Sequence, residues 1–286
     1  MKKVGIIDYY LDEFHAHKSM QTLPNYNKEN GTDYQVAAAY AEIDKENGLS
    51  SKEFCDKYGL AFCSTIQDLC EAVDYIMIFA PDNPEKKEWY APQAIQYADK
   101  KPIFLDKTFT DTYASAVRIY EAAKAAETPL FSASSLRYAT EFTPYLGTCK
   151  SVLAFGSGVE MKDYAVHYLE IAITCMGMGI DTVQWEQRGQ QEWVHLTYLD
   201  GRKATLVISM GEWLPFHVFL ADKNGVTANL PITSQLFACQ IKDVINFFET
   251  GKPAFDRMET LELMKARDGI FASKEKDGIC VKLERN

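Results

Sequence analysis

The N-terminal half of the chain alternates short, almost continuously apolar segments with amphipathic segments of about ten to fifteen residues. The apolar segments include residues 3–8, 74–80 and 102–106. Strands that are apolar on both sides are typical of a parallel sheet that helices cover on both faces. The pattern therefore predicts an α/β domain over residues 1–138, with a Rossmann-type doubly wound parallel sheet.

Capping residues predict where several helices of this half begin and end. Asp12 is the expected N-cap of a helix over residues 12–22, followed by a loop over residues 24–33. Ser50 and Ser51 precede a further helix over residues 52–58, which Gly59 is expected to stop. The charged run at residues 85–88 is interpreted as the solvated start of a helix.

After residue 138 the pattern changes to strands of alternating polarity separated by glycine-containing turns. The Asp200-Gly201 pair between two such strands is a strong hairpin signal. Helical segments are expected in the same half, including residues 235–250. The sequence predicts a C-terminal α+β domain over residues 139–286, with an open antiparallel sheet and helices on one face. The expected strands cover residues 150–158, 181–189, 191–199, 203–211 and 215–221.

Charge and cysteine usage narrow the class of protein. The 286 residues carry a net charge of -10, which disfavours nucleic acids and anionic membranes as partners. There is no apolar run of roughly 18 residues, the length that spans a bilayer. The seven cysteines are scattered and form no C-x-x-C pair, so neither a disulfide framework nor a zinc site is expected. A reduced, cytoplasmic protein that binds a small molecule is the resulting expectation.

The turn after the first strand, residues 8–14, contains no glycine. Rossmann domains usually carry G-x-G-x-x-G there, because glycines let the backbone approach a pyrophosphate at a helix N-terminus. Asp8, Asp12 and Glu13 instead add negative charge, and two tyrosines add bulk. The turn disfavours conventional pyrophosphate binding, and a Rossmann domain retained as a scaffold is an alternative interpretation.

Short motifs along most of the chain resemble those of the Gfo/Idh/MocA oxidoreductase family. They follow the family's order and are Val4 to Ile7, Phe79-Ala80-Pro81-Asp82, Asp106-Lys107-Thr108, Arg137-Tyr138 and Asp163-x-x-x-His167-x-x-Glu170. The chain departs from the family pattern at the missing glycines, at Trp89 in place of a histidine and at Thr108 in place of a proline. The resemblance implies NAD or NADP as cofactor, a sugar, polyol or similar hydroxy compound as substrate, and a homodimer or homotetramer formed through the C-terminal sheet.

Asp163, His167 and Glu170 are spaced so that they lie on one face of a helix. Histidine titrates in the range of a base that accepts a hydroxyl proton, and Asp163 is expected to raise its pKa. Lys107, at the end of a parallel strand, is expected to stabilise a developing oxyanion. The resemblance implies the same catalytic roles for Lys107, Asp163 and His167. One alternative is a helix packed under the sheet with a hydrogen-bonded His167. A metal site at these residues is the other, but no metal is expected because no further ligand cluster accompanies them.

The remaining site predictions concern the cofactor and the substrate. The cofactor is expected to cross the carboxyl ends of the first and fourth strands, contacting Ile7, Asp8, Tyr9, Tyr10, Pro81, Trp89 and Asp106. Arg137 and Glu170 are expected to contact the substrate. Trp193, His195, Trp213 and His217 are expected to form either an aromatic wall for a sugar or, preferably, a subunit interface. A non-catalytic ligand-binding protein and a dinucleotide-independent lyase or isomerase remain alternative functions.

Overall fold

A computed structural model describes residues 1–284, which form two compact units. Unit 1 comprises residues 1–133 and 237–255, and unit 2 comprises residues 134–236 and the segment from residue 256 onward. The first break in the chain lies close to the predicted boundary. The predicted second domain, however, includes a segment that belongs to unit 1. None of the helices in residues 1–284 combines the length and apolar character needed to cross a bilayer.

Unit 1 is built on a six-stranded parallel sheet with the order β3-β2-β1-β4-β5-β6. Its strands are β1 (Lys2–Asp8), β2 (Tyr34–Ala41), β3 (Ala61–Phe62), β4 (Tyr75–Ile78), β5 (Ile103–Leu105) and β6 (Leu130–Phe131). The strand order reverses between β1 and β4, which is the doubly wound arrangement. The central strands are apolar on both sides and buried, as their continuous apolar runs predict. The predicted Rossmann-type sheet is thus confirmed.

Helices follow the strands of unit 1. They are α1 (Phe14–Asn30), α2 (Ser51–Tyr58), α3 (Ile66–Ala72), α4 (Lys87–Tyr97) and α5 (Tyr113–Ala125). Ser50 and Glu53 form a capping box at the start of α2, and Gly59 ends that helix with a φ of 69°. The predicted end of α2 at Gly59 is confirmed, and the helix begins at Ser51, one residue earlier than expected.

The predicted bounds of α1 are wrong at both ends. Glu13, not Asp12, caps the helix, because the Asp12 carboxylate accepts the Leu49 N–H at 2.9 Å and lies 2.6 Å from His17 Nε2. The helix also continues through Pro24 to Asn30, where a loop was expected. Its last turns are held to β2, since Asn27 Nδ2 donates to the Tyr34 carbonyl at 2.6 Å.

Unit 2 contains a seven-stranded sheet with the order β12-β11-β7-β10-β9-β8-β13. Its strands are β7 (Cys149–Gly158), β8 (Ile180–Arg188), β9 (Gln191–Tyr198), β10 (Lys203–Met210), β11 (His217–Asp222), β12 (Thr227–Pro231) and β13 (Val281–Lys282). All neighbouring pairs are antiparallel except β7 and β10, which are parallel. The helices α6 (Met161–Met176) and α8 (Arg257–Glu275) pack on this sheet. The predicted α+β layout is confirmed, and the sheet is mixed rather than purely antiparallel.

The helix α7 (Leu236–Thr250) returns to unit 1. Phe248 stacks on Tyr75 with ring centroids 4.8 Å apart, and Phe247 contacts Phe131 at 5.0 Å. Near the start of the helix, Gln240 Nε2 donates to the Ala133 carbonyl at 3.0 Å. The apolar face of α7 therefore completes the core of unit 1, although the sequence places this helix among the elements of the second half.

Candidate functional site

The turn between β1 and α1 is closed by the carboxylate of Glu13. This side chain is buried and accepts the backbone N–H groups of His15, at 2.7 Å, and of Ala16. In a Rossmann domain these first N–H groups of the helix are the donors that face a pyrophosphate. In this chain they already bind an anion, and that anion is the chain's own glutamate.

Asp8 adds a second buried carboxylate at the same place. Its Oδ1 accepts the N–H groups of Tyr9 at 2.7 Å and of Ala80 at 2.9 Å. Its Oδ2 is buried and has no hydrogen-bond partner among residues 1–284. Burial, followed by repulsion from Glu13, raises the pKa of the Asp8 carboxyl well above its usual range. The end of β1 thus disfavours additional negative charge.

His15 connects these acids to the end of β5. Its Nδ1 lies 3.1 Å from Glu13 Oε2, and its Nε2 lies 3.6 Å from Asp106 Oδ2. His15 and Asp106 also line a cavity of about 30 Å³ together with Phe79, Phe104 and Phe237. That volume accommodates a single water molecule. Glu13 and His15 belong to the first turn and Asp106 to the end of β5, so this polar network inside unit 1 depends on the fold and not on local sequence.

The predicted cofactor contacts are unevenly exposed. Ile7 is a core residue whose carbonyl accepts the Phe79 N–H at 2.9 Å, and Pro81 is buried. Trp89 is 64% exposed on α4. The remaining predicted contacts are the half-buried Tyr9 and Tyr10 and the buried Asp8 and Asp106.

Both tyrosines of the turn are held by neighbouring charged groups. Tyr10 donates from its hydroxyl to Asp82 Oδ2 at 2.5 Å, and its pKa is raised by burial and by that carboxylate. The Lys86 ammonium lies 4.6 Å from the centre of the Tyr9 ring, a cation–π contact.

The single glycine of β1, Gly5, serves packing rather than phosphate binding. A Cβ atom at this position would lie 2.7 Å from Leu69 Cδ2 on α3. The turn itself contains neither a glycine nor a residue with positive φ. Since Glu13 takes the His15 and Ala16 N–H donors and both Asp8 and Glu13 are buried, the first turn does not fit the pyrophosphate of NAD or NADP.

Lys107 follows β5, and the side chain of Lys87 holds its loop. Lys87 belongs to the run at residues 85–88, which the sequence analysis places in solvent. Lys87 is completely buried, and its Nζ donates to the carbonyls of Asp106, Lys107 and Thr108 at 2.8, 2.9 and 2.9 Å. The interpretation of residues 85–88 as a solvated helix start is therefore wrong for Lys87. The Lys107 side chain is 9% exposed, and the Lys107–Thr108 peptide bond is cis.

In unit 2, His167 lies on α6 with a defined ring orientation. Its Nδ1 is 2.6 Å from Ser134 Oγ, and the Tyr164 ring meets it edge-on at 5.4 Å. Asp163 lies one turn earlier on the same helix, half-buried like His167. Ser134 was not singled out in the sequence, where it is only the last residue of a predicted strand.

Arg137 and Glu170, the predicted substrate contacts, form a buried ion pair with each other. Arg137 Nη1 lies 2.7 Å from Glu170 Oε1, and its Nη2 lies 2.5 Å from Glu259 Oε2. Glu170 Oε2 accepts the Ser134 N–H at 3.2 Å. Burial raises the pKa of Glu170, and the Arg137 guanidinium opposes part of this rise. The pair thereby fixes the segment that carries Ser134.

Unit 2 also contains an open groove of about 320 Å³ beside the start of α6. Trp213, which is 75% exposed, and Tyr164 are its aromatic walls. Of the other predicted aromatic-wall residues, His195 lies 3.1 Å from Glu186 on the sheet. Among residues 1–284, no group of three or more His, Cys, Asp or Glu side chains is arranged to hold a metal ion.

Comparison with known proteins gives matches at the level of structure. No protein-family model matches the sequence, and no curated protein matches it either. GenD2 from gentamicin A biosynthesis, solved with NAD, aligns with a TM-score of 0.79 at 13% identity, over 100% of this chain and 97% of its own. The UDP-N-acetylglucosamine 3-dehydrogenase GnnA from Acidithiobacillus ferrooxidans gives 0.73 at 15% identity, over 96% and 98%. An NAD-binding oxidoreductase from Klebsiella pneumoniae gives 0.74 at 13% identity, over 100% and 99%. The chain thus has the fold of these oxidoreductases along its whole described length.

Proposed function

We propose that this chain is an enzyme of the Gfo/Idh/MocA oxidoreductase type that acts on a hydroxyl-bearing carbon of a sugar, a polyol or a related small compound. The observation that carries the proposal is the shared fold, which extends over nearly the whole of both chains in each comparison. GnnA is a dehydrogenase of a nucleotide sugar, which supports a hydroxylated substrate.

We assign the proton acceptor of the reaction to His167. Ser134 orients its ring through Nδ1, and the Arg137–Glu170 pair holds the Ser134 backbone. A base that is oriented in advance removes a hydroxyl proton more efficiently than a mobile one. The groove beside Tyr164 has the volume of a small-molecule site, and the exposed Trp213 ring is the kind of surface on which a sugar ring packs. Asp163 is proposed to support His167 from the preceding turn.

We assign the stabilisation of negative charge on the substrate oxygen to Lys107. Its side chain is largely shielded from water, and Lys87 fixes the carbonyls of its loop. A lysine ammonium shielded from water stabilises an oxyanion more strongly than one exposed to solvent. Arg137 and Glu170, predicted as substrate contacts, are better explained as positioning residues, since they are paired with each other.

The proposed enzyme has two possible forms, which differ in whether a dinucleotide cofactor takes part in the reaction. An oxidoreductase would use NAD or NADP, as the resemblance implies and as GenD2 binds NAD. A lyase or isomerase would use His167 and Lys107 as base and acid without a dinucleotide. The Glu13 cap at the first turn favours the second form, because it occupies the N–H donors that a pyrophosphate requires.

A substrate screen tests the proposal. The purified protein is incubated with a panel of sugars and polyols, with and without NAD⁺ or NADP⁺, and products are followed by nicotinamide absorbance and by NMR. We expect turnover of at least one compound, and a loss of roughly a hundredfold or more in His167→Ala and in Lys107→Ala. Lys100→Ala, at an exposed ion pair with Glu127, is the control for Lys107→Ala and should retain activity.

Two outcomes would contradict the proposal. Unchanged turnover in both His167→Ala and Lys107→Ala would show that the site residues are assigned wrongly. A complete lack of turnover on the panel, with binding of one of its compounds, would favour a non-catalytic ligand-binding protein.

A further inference from the structure

Two of the N–H donors at the N-terminus of α1, those of His15 and Ala16, are already bonded within the chain. The His15 and Ala16 N–H groups donate to the Glu13 carboxylate, and the His17 N–H donates to the Glu13 carbonyl at 3.1 Å. The His17 N–H makes the first hydrogen bond within the helix, whereas the His15 and Ala16 N–H groups are among those that an α-helix leaves unpaired at its start. A phosphate could use them only after the Glu13 side chain had left.

We infer that Glu13 permanently replaces the cofactor phosphate at this turn, so that the first turn of unit 1 holds no dinucleotide pyrophosphate. Glu13 is only 4% exposed, and it also lies 3.1 Å from His15 Nδ1. A carboxylate at a helix N-terminus is stabilised by the helix dipole, as a bound phosphate would be. Its removal would expose two N–H groups and break the contact with His15.

The charge around the turn supports the same conclusion. Asp8 is buried near Glu13, and Asp106 is buried on the other side of the His15 ring, at 1% and 3% exposure. A pyrophosphate would add two negative charges to a poorly hydrated site, where burial and the nearby Glu13 already raise the pKa of the Asp8 carboxyl and so disfavour its charged form. The Lys45 and Lys86 ammonium groups near the turn are engaged with the Asp12 carbonyl and with Glu42.

This inference goes beyond the proposed function, because the acid–base chemistry assigned to His167 does not depend on it. It decides between the two forms of that function. If Glu13 occupies the phosphate position, the form without a dinucleotide is the one that operates.

Binding measurements without substrate test the inference. NADH, NADPH and inorganic pyrophosphate are titrated into the wild-type protein, Glu13→Gln and Glu13→Ala by calorimetry, with thermal unfolding as a second readout. We expect no binding of any probe to the wild type up to millimolar concentration. In Glu13→Ala we expect pyrophosphate to bind with a dissociation constant at least tenfold below the highest concentration at which the wild type shows no binding, because two N–H donors become available.

The variants are chosen so that misfolding does not obscure the result. Glu13→Gln removes the charge but keeps an oxygen that can cap the helix, so it should fold and show a smaller gain than Glu13→Ala. Glu53→Ala removes the capping glutamate of α2, far from the turn in sequence, and should gain no affinity.

Two results would overturn the inference. The first is micromolar binding of NADH or NADPH to the wild type. The second is the absence of any gain in a folded Glu13→Ala protein. Because no substrate is present, either result is independent of the loss of turnover in His167→Ala that tests the proposed function.

Discussion

Lys87 is a cation without exposed surface, and its position explains how the loop that carries Lys107 keeps its shape. A buried ammonium has three protons to donate, and here each has a carbonyl acceptor in the segment from Asp106 to Thr108. These are consecutive carbonyls that no sheet or helix ladder satisfies. The Lys87 side chain therefore supplies the hydrogen-bond donors that neighbouring backbone N–H groups supply to the carbonyls of a strand.

Replacing Lys87 by methionine tests this role. The variant keeps the apolar stem but leaves three buried carbonyls without a donor, so we expect the free energy of unfolding to fall by about 3 kcal/mol or more. Urea denaturation followed by circular dichroism measures the change. Lys86→Met, at a partly exposed ion pair with Glu42, is the matched control and should cost less than about 1 kcal/mol. Equal losses in the two variants would exclude a special role for Lys87.

The sequence contained a signal for Lys87 but not for Glu13. Lys87 lies on the same helical stripe as the buried Tyr90, Ala91 and Ala94, at spacings of three, four and seven residues, so its burial follows from periodicity. The choice of Glu13 over Asp12 as N-cap depends on the Leu49 N–H, which lies far along the chain. A contact of this kind cannot be deduced from local pattern.

At the scale of elements, α7 is attached to unit 1 by charge as well as by its apolar face. Glu249, near the end of the helix, lies 2.6 Å from Lys2 Nζ and accepts the hydroxyls of Tyr34 at 2.5 Å and Tyr75 at 2.8 Å. The contact with Lys2, then the hydroxyl of Tyr34, lowers the pKa of Glu249 to about 2. A single carboxylate thus joins α7 to β1, β2 and β4.

The depressed pKa of Glu249 predicts a pH-dependent contribution to stability. A carboxyl whose pKa falls from 4.5 to about 2 on folding stabilises the protein above pH 4.5, and this contribution disappears as the pH falls towards 2. Because the group is partly exposed, we expect Glu249→Gln to cost only about 1 kcal/mol at pH 7, and less at pH 3. Urea denaturation at both pH values measures the difference. Glu29→Gln is the exposed control, and a cost for Glu249→Gln that does not change with pH would contradict the assignment.

At the scale of the whole molecule, the sequence predicts the two sheets, but it does not predict that the chain returns from unit 2 to unit 1 at α7. Strand and helix periods are local, so the doubly wound and α+β patterns were both visible. The return of α7 depends on which apolar faces are complementary. Phe247 and Phe248 are apolar residues of a predicted helix, and only their contacts with Phe131 and Tyr75 show where they are buried. The hydrophobic effect is non-directional, so the sequence of α7 does not show which apolar surface its aromatic rings will cover.

The path of the chain predicts how unit 1 behaves when it is isolated. A fragment of residues 1–138 lacks α7 and exposes the apolar surface around Phe131 and Tyr75, so we expect it to aggregate or to unfold without a cooperative transition. A fusion of residues 1–133 to residues 237–255 through a short Gly/Ser linker restores α7. The linker can be short because the hydrogen bond from Gln240 Nε2 to the Ala133 carbonyl places the two ends close together. We expect this fusion to give a single cooperative thermal transition by circular dichroism. The same fusion with Phe247→Ser and Phe248→Ser is the control and should lose that transition. Cooperative unfolding of the 1–138 fragment at the same temperature as the fusion would show that α7 is dispensable, and that the boundary expected from the sequence alone is the true limit of the folding unit.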